Sequence, residues 1–216
     1  DSTYIEVLCN TIHHVTEDDA ITMGNKSGAD AAKSGGPIRL NRIWDVEEDG
    51  ITVYMSNVLV EGNDISDSRS ENGAIYLAYG ISLVTIKGNS VHDSTLKTTK
   101  FADAAAVLLN STVNAGTVTV SGNIMYNVSP FGVTNKHPSL WLNATNNWWG
   151  DASGPWDPSG TMETPPCNDD PSQDQNADGF GLYVSGLVDY CPWAAAPFTL
   201  GVNALTVDKS DRSDPV

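Results

Sequence analysis

The stretch Val84-Thr85-Ile86-Lys87-Gly88-Asn89-Ser90-Val91-His92-Asp93 is nearly repeated as VLVEGNDISD (58–67) and again as VTVSGNIMYN (118–127). A catalytic motif is normally written once, so a pattern written three times is read first as architecture. Taking the Asn of each copy as origin, six copies align at Asn10, Asn41, Asn63, Asn89, Asn123 and Asn147, with intervals of 31, 22, 26, 34 and 24 residues. Five and three positions earlier the chain is apolar: Ile5/Val7, Val58/Val60, Val84/Ile86, Val118/Val120 and Leu142/Ala144, with Gly36/Ile38 the imperfect case. Two positions later come Ile12, Ile43, Ile65, Val91, Met125 and Trp149. Four positions later come His14, Asp45, Asp67, Asp93, Asn127 and Asp151.

Apolar residues at every second position predict a β-strand with one buried face. Gly62, Gly88 and Gly122 stand just before the Asn, where a sharp bend needs a backbone without Cβ clashes. A second short strand follows, and a third begins after an acidic turn, in DDAITM (18–23), EDGITVYM (48–55), NGAIYLAY (72–79), ADAAAVLL (102–109) and FGVT (131–134). No stretch keeps a helical period. Strand-only repeats of about 22 residues predict a solenoid whose coils bury their inward faces against one another. Six coils at the strand spacing make a rod roughly 25–30 Å long. The recurring Asn residues then form a structural ladder, each amide bonded within its bend and to the next coil.

These columns resemble the right-handed parallel β-helix repeat of pectate-lyase-like proteins. The segment NATNNWWGDASGP (143–155), with VDYCPW (188–193), is similar to the end of β-helix domains in bacterial and archaeal secreted or surface proteins. The resemblance implies an all-β, right-handed parallel β-helix of about six coils over 1–155, then a Pro/Asp/Gly-rich capping excursion over 156–200. It does not imply one activity, because that family includes lyases, hydrolases, epimerases, adhesins and plain surface modules. LTVDKSDRSDPV (205–216) resembles the first strand of Ig-like repeats of microbial surface proteins, so 201–216 is expected to be a linker or such a strand. The chain is then a segment of a longer polypeptide. Trp148, Trp149, Trp156 and Trp193 are expected to close the C-terminal end of the stack, with stacking on sugars as the competing use.

With 11 Lys+Arg against 27 Asp+Glu the formal net charge is −16, which repels nucleic acid, anionic lipid and polyuronates and attracts cations. No apolar run is long enough to span a membrane. Cys167 and Cys191 flank the excursion and are expected to form a disulfide, leaving Cys9 as a buried thiol. Sequons at Asn25, Asn110, Asn127 and Asn143 matter if the protein is exported to a glycosylating compartment.

The clearest candidate site is DQNADGFG (174–181). Asp174, Asn176 and Asp178 have the spacing of positions 1, 3 and 5 of a calcium loop, Gly179 stands at the turn, and Phe180 supplies a carbonyl. Ser185 replaces the bidentate Glu, so a further ligand such as Asp189 is required. The blander reading is a solvated acidic loop. Glu17-Asp18-Asp19 and Glu47-Glu48-Asp49 fall in the same turn of adjacent coils. Paired carboxylates suit glycoside hydrolysis, and Glu17-Asp18-Asp19-Ala20-Ile21 faintly echoes the paired-Asp motif of polygalacturonases. The His-Gly and Arg-x-Lys that follow in that family are missing here, which favours acidic turns over catalysis. His13, His14, His92 and His137 scatter over different columns. Arg39 is expected to point outward and Arg42 to sit in the bend, and no basic cluster recurs on one face.

The leading expectation is a non-catalytic, extracellular or cell-surface structural or adhesive module, part of a larger surface protein or filament, stabilised by Ca2+ and glycosylated. Its partners would be neighbouring domains or copies meeting through coil ends or a tail strand, with glycans a further class; nucleic acid and membrane insertion are not expected. The alternative is a polysaccharide lyase, a glycoside hydrolase or a glycan-binding module.

Overall fold

A computed structural model describes residues 5–95, 103–159, 167 and 176–199. Its first pass is β1 (Val7–Leu8), β2 (Thr11–Val15) and β3 (Ile21–Met23); the second is β4 (Pro37–Arg39), β5 (Arg42–Val46) and β6 (Ile51–Val53). The third is β7 (Leu59–Glu61), β8 (Asp64–Ser68) and β9 (Gly73–Leu77), and the fourth β10 (Val84–Lys87), β11 (Ser90–Thr95) and β12 (Ala105–Leu109). The fifth is β13 (Val118–Ser121), β14 (Ile124–Ser129) and β15 (Phe131–Asn135). After β16 (Leu142–Asn143) the chain makes its excursion, then returns as β17 (Tyr183–Gly186) and β18 (Val188–Asp189). The only helical element among the described residues is a 3-10 turn at Ala115–Thr117. Among the described residues no helix is long and apolar enough to cross a membrane.

Each pass lays its strands beside those of the pass before, giving three parallel sheets in the orders β1-β4-β7-β10-β13-β16-β18, β2-β5-β8-β11-β14 and β3-β6-β9-β12-β15-β17. The fold is therefore all-β, with stacked parallel strands. The register puts like over like: Val7 on Ile38, Ile38 on Val60, Val60 on Ile86 and Ile86 on Val120. On the next sheet Ile12, Ile43, Ile65, Val91 and Met125 run in one column. Ile38, Ile43, Val60, Ile65, Ile86 and Val120 are wholly buried. Burying one such side chain contributes about 1.5–3 kcal/mol, so the columns are the main source of stability.

The bends explain two of the polar columns. The residue before each ladder Asn has φ between 56° and 66°: Cys9, Leu40, Gly62, Gly88, Gly122 and Asn146. Glycine fits there for conformational reasons, since a Cβ on Gly88 or Gly122 would meet nothing within 4 Å. The fourth residue after the Asn is also left-handed at His14, Asp45, Asp67, Asp93 and Asn127, which is why short polar side chains recur there. Asp151 departs from this, because the sixth pass has no second strand beyond a single bridge from Trp148 to Ile124. The left-handed bend also corrects the expectation for Cys9. Its thiol is free and exposed, because that turn on the outermost pass directs the side chain to solvent.

Two strands were not legible. β17 pairs with β15 and β18 with β16, so part of the segment read as a capping excursion continues the stack. The segment expected to be a linker or Ig-like strand, 201–216, lies outside the described residues.

Candidate functional site

The Asn ladder is a continuous hydrogen-bonded column. The backbone N–H and the Nδ2 of Asn10 both donate to Oδ1 of Asn41, each at 2.9 Å. Asn41 does the same to Asn63, Asn63 to Asn89, Asn89 to Asn123 and Asn123 to Asn147, all within 2.9–3.0 Å. Each Nδ2 also donates backwards to the carbonyl of Val7, Ile38, Val60, Ile86 or Val120. Both protons and both lone pairs of every interior amide are used, which is what allows Asn41, Asn63, Asn89 and Asn123 to be buried to 1% exposure or less.

Charged side chains on the outer faces also pair along the stack. Arg39 meets Glu61 at 2.7 Å and Lys87 meets the same carboxylate at 3.2 Å. Arg39 points outward as expected. Asp45 takes His14 from the pass below and Arg69 from the pass above, and the His14 bond is the main reason its pKa is lowered. His92 lies between Asp64 at 3.0 Å and Asp93 at 2.8 Å, and the Asp64 bond leads in raising its pKa. The rings beside these groups stack on one another: His13 on Trp44 at 4.5 Å, His92 on Tyr126 at 5.0 Å, with Arg42 over Trp44 at 5.1 Å. Ring faces used in this way are not presented to a sugar.

The acidic turns stack, and Ala20 N donates to Asp49 O. Their side chains part company. Asp18 is exposed and pairs with Lys26, the main cause of its lowered pKa. Glu47 reaches Arg69 at 3.4 Å. Asp19 and Asp49 turn inward, with 7% and 2% exposure. Thr22 donates to Asp19 and Thr52 to Asp49, each at 3.0 Å. Asp49 also receives Ser70 and Asn72 from the next pass. Burial pushes its pKa up to about 6, with the nearby Asp19 charge adding to the rise. The partners Thr22, Thr52, Ser70 and Asn72 were missed; the signal was the repeated Asp-x-x-Thr in 19–22 and 49–52.

At the C-terminal end Cys167 and Cys191 form a disulfide. Trp149 is wholly buried, and the Trp193 indole donates to Ala152 O at 3.2 Å while lying where a Cβ on Gly154 would fall. Trp156 packs on Tyr183. Trp156, Asp178 and Phe180 line an open hollow of about 440 Å³. Asn176 pairs with Asp157, and its Nδ2 is committed to Ser153 O and Pro155 O at 2.7 Å. Asp178 is exposed, and Asp189 sits on β18 with its pKa raised by burial. Asp174 lies outside the described residues. Of the sequon residues, Asn25, Asn127 and Asn143 are exposed, while Asn110 is half-buried with Nδ2 on the Tyr76 hydroxyl. Among the described residues no three acidic, His or Cys side chains converge as metal ligands.

Comparisons with family models, with curated proteins and with solved structures found no match for this chain.

Proposed function

We propose that the chain is a right-handed parallel β-helix of the pectate-lyase-like kind, acting as a non-catalytic structural or adhesive module of an extracellular or cell-surface protein. One observation supports this most: the side chains that could do chemistry are engaged by their own neighbours along the stack. The Asn column is saturated, the stacked ring faces cover one another, and the inward acids Asp19 and Asp49 are held by hydroxyl and amide donors. Such an arrangement favours rigidity over binding and turnover. Incubation with uronate and neutral polysaccharides should release no unsaturated or new reducing ends. Turnover that disappears in Asp49→Asn would replace this reading with the carbohydrate-active one.

A Ca2+ ion held by Asp174, Asn176, Asp178, the Phe180 carbonyl and Asp189 would tie the excursion to the last strand. The commitment of the Asn176 nitrogen leaves its oxygen for the cation. A chelator should then lower the melting temperature by several degrees, reversibly on adding calcium; an unchanged melt removes calcium from the account. The second reading, a glycan-binding module, is favoured by the hollow at Trp156 and Phe180, where Phe180 is 84% exposed. Binding to a glycan array that is lost in Trp156→Ala would support it.

A further inference from the structure

The first pass leaves one edge of each sheet unpaired among the described residues, since β1, β2 and β3 are terminal in their sheets. Ile5 and Leu8 are 44% and 41% exposed there. No N–H from a described residue reaches Oδ1 of Asn10, whereas each later ladder oxygen receives two. As described, this edge would accept a strand whose side chains continue the columns and whose Asn donates to Asn10.

We propose that residues 200–205 of a second copy of this chain cover that edge. This rests on the stacked-pass reading of the fold. The tail repeats the ladder spacing: Leu200, Asn203 and Leu205 stand as Val60, Asn63 and Ile65 do, with Phe198 in the place of Val58. Asn203 would supply the donors for Asn10, and Leu200 and Leu205 would cover Val7 and Ile12. A bare stack of two copies does not provide this. At the far end β18 and β17 are also terminal in their sheets, but Trp193 stands at the ladder position beyond Asn147 and its indole N–H is committed to Ala152 O, so no ladder amide is presented there. Two open edges facing one another would bring acceptor to acceptor at Asn10. Nor does the tail reach its own first pass with this motif. Leu200 is six residues beyond Ala194 and so lies within about 22 Å of it. The first pass lies six strand spacings from Ala194, about 29 Å even along the shortest line. A strand donated in this way gains main-chain hydrogen bonds for affinity and side-chain columns for register.

Val202 is the imperfect residue of the motif, since it occupies the left-handed column where Gly62, Gly88 and Gly122 stand. That gives the test two directions. Sedimentation velocity over a range of concentrations should show the full chain associating into longer species. Removal of 200–216 should leave single copies with an unchanged melt. Leu200→Asp should weaken association at least tenfold, and Val202→Gly should strengthen it several-fold. Alkylation of the exposed Cys9 beside the edge should slow as the full chain is concentrated, but not the shortened chain. The proposal is overturned if the full chain stays single, or if association survives removal of the tail. It is also overturned if Leu200→Asp lowers the melting temperature of dilute, unassociated protein, which would place the tail in its own stack.

Discussion

The first two passes and the next three are built to one plan and finished differently. In the third, fourth and fifth passes the left-handed bend is occupied by Gly62, Gly88 and Gly122; in the first two it holds Cys9 and Leu40. The first two passes also carry the inward acids Asp19 and Asp49, whereas no inward acid occupies that turn among the described residues of the later passes. Val7, Ile12 and Val15 of the first pass are only partly buried, while their counterparts Ile38, Ile43 and Val46 are at 0% exposure. In a stack where each pass touches only its neighbours, stability is local, and one end can loosen while the other holds. The N-terminal passes should therefore be the first to open.

The largest expected contrast lies within the ladder. Asn89→Ala removes the acceptor of Asn63 N and Nδ2 and strips a donor from Val60 O, all buried, so it should cost about 3–5 kcal/mol. Asn10→Ala removes two bonds of Nδ2, an exposed one to Leu8 O and a partly buried one to Asn41, while its backbone N–H still reaches Asn41, and should cost less than about 1 kcal/mol. Urea unfolding of the two variants measures the difference. Equal costs would mean that the column is not a stack with an open end.

Next in size is a pH effect confined to the first passes. Asp49 has a folded pKa of about 6 against an ordinary 3.8. Below the unfolded value both states are protonated and stability is greatest on this account. As pH rises through that window the unfolded chain gives up the proton first, so stability falls, by about 2–3 kcal/mol once pH 6 is passed. Asp49→Asn should flatten that slope and stabilise the protein above pH 7, since the Ser70 hydroxyl can still donate to the amide oxygen and the Thr52 hydroxyl can turn to accept from its nitrogen. A variant that is less stable at every pH would show that the carboxylate is held ionised by its donors. The smallest effect is at Leu40, which has φ 56° and 45% exposure. A non-glycine residue in that region costs about 1–2 kcal/mol, partly offset by the entropy glycine loses on folding. Leu40→Gly should raise stability by about 0.5–1 kcal/mol, and hydrogen exchange should show the gain in the first two passes alone.

These contrasts also mark where the sequence was legible. The columns at Asn10 through Asn147 could be read because each is repeated, and a repeated mark survives intervals that vary from 22 to 34 residues. β17 and β18 could not, because Trp193 stands where the ladder Asn would follow β18, and no copy of the apolar-x-apolar-x-Gly-Asn pattern accompanies them. Nor could the split within Glu47-Glu48-Asp49, where only the last turns inward. Sequence gives three acids in a row, and only Thr52 and the Ser70 and Asn72 of the following pass decide which one can be buried. Cys9 was misjudged because burial was inferred from residue type, whereas its position in the left-handed bend decided the outcome. The candidate calcium residues were legible as a spacing, and the excursion that would bring them together is the part where repetition gives no help.

The central claim is most directly tested by methyl–methyl contacts in solution. Nuclear Overhauser effects between specifically labelled Val60 and Ile86, and between Ile86 and Val120, are predicted, with none between Val60 and Val120, because these pairs lie across one and two parallel strand spacings of about 4.8 and 9.6 Å. Absence of the first two, in a folded protein with a cooperative melt, would contradict the account.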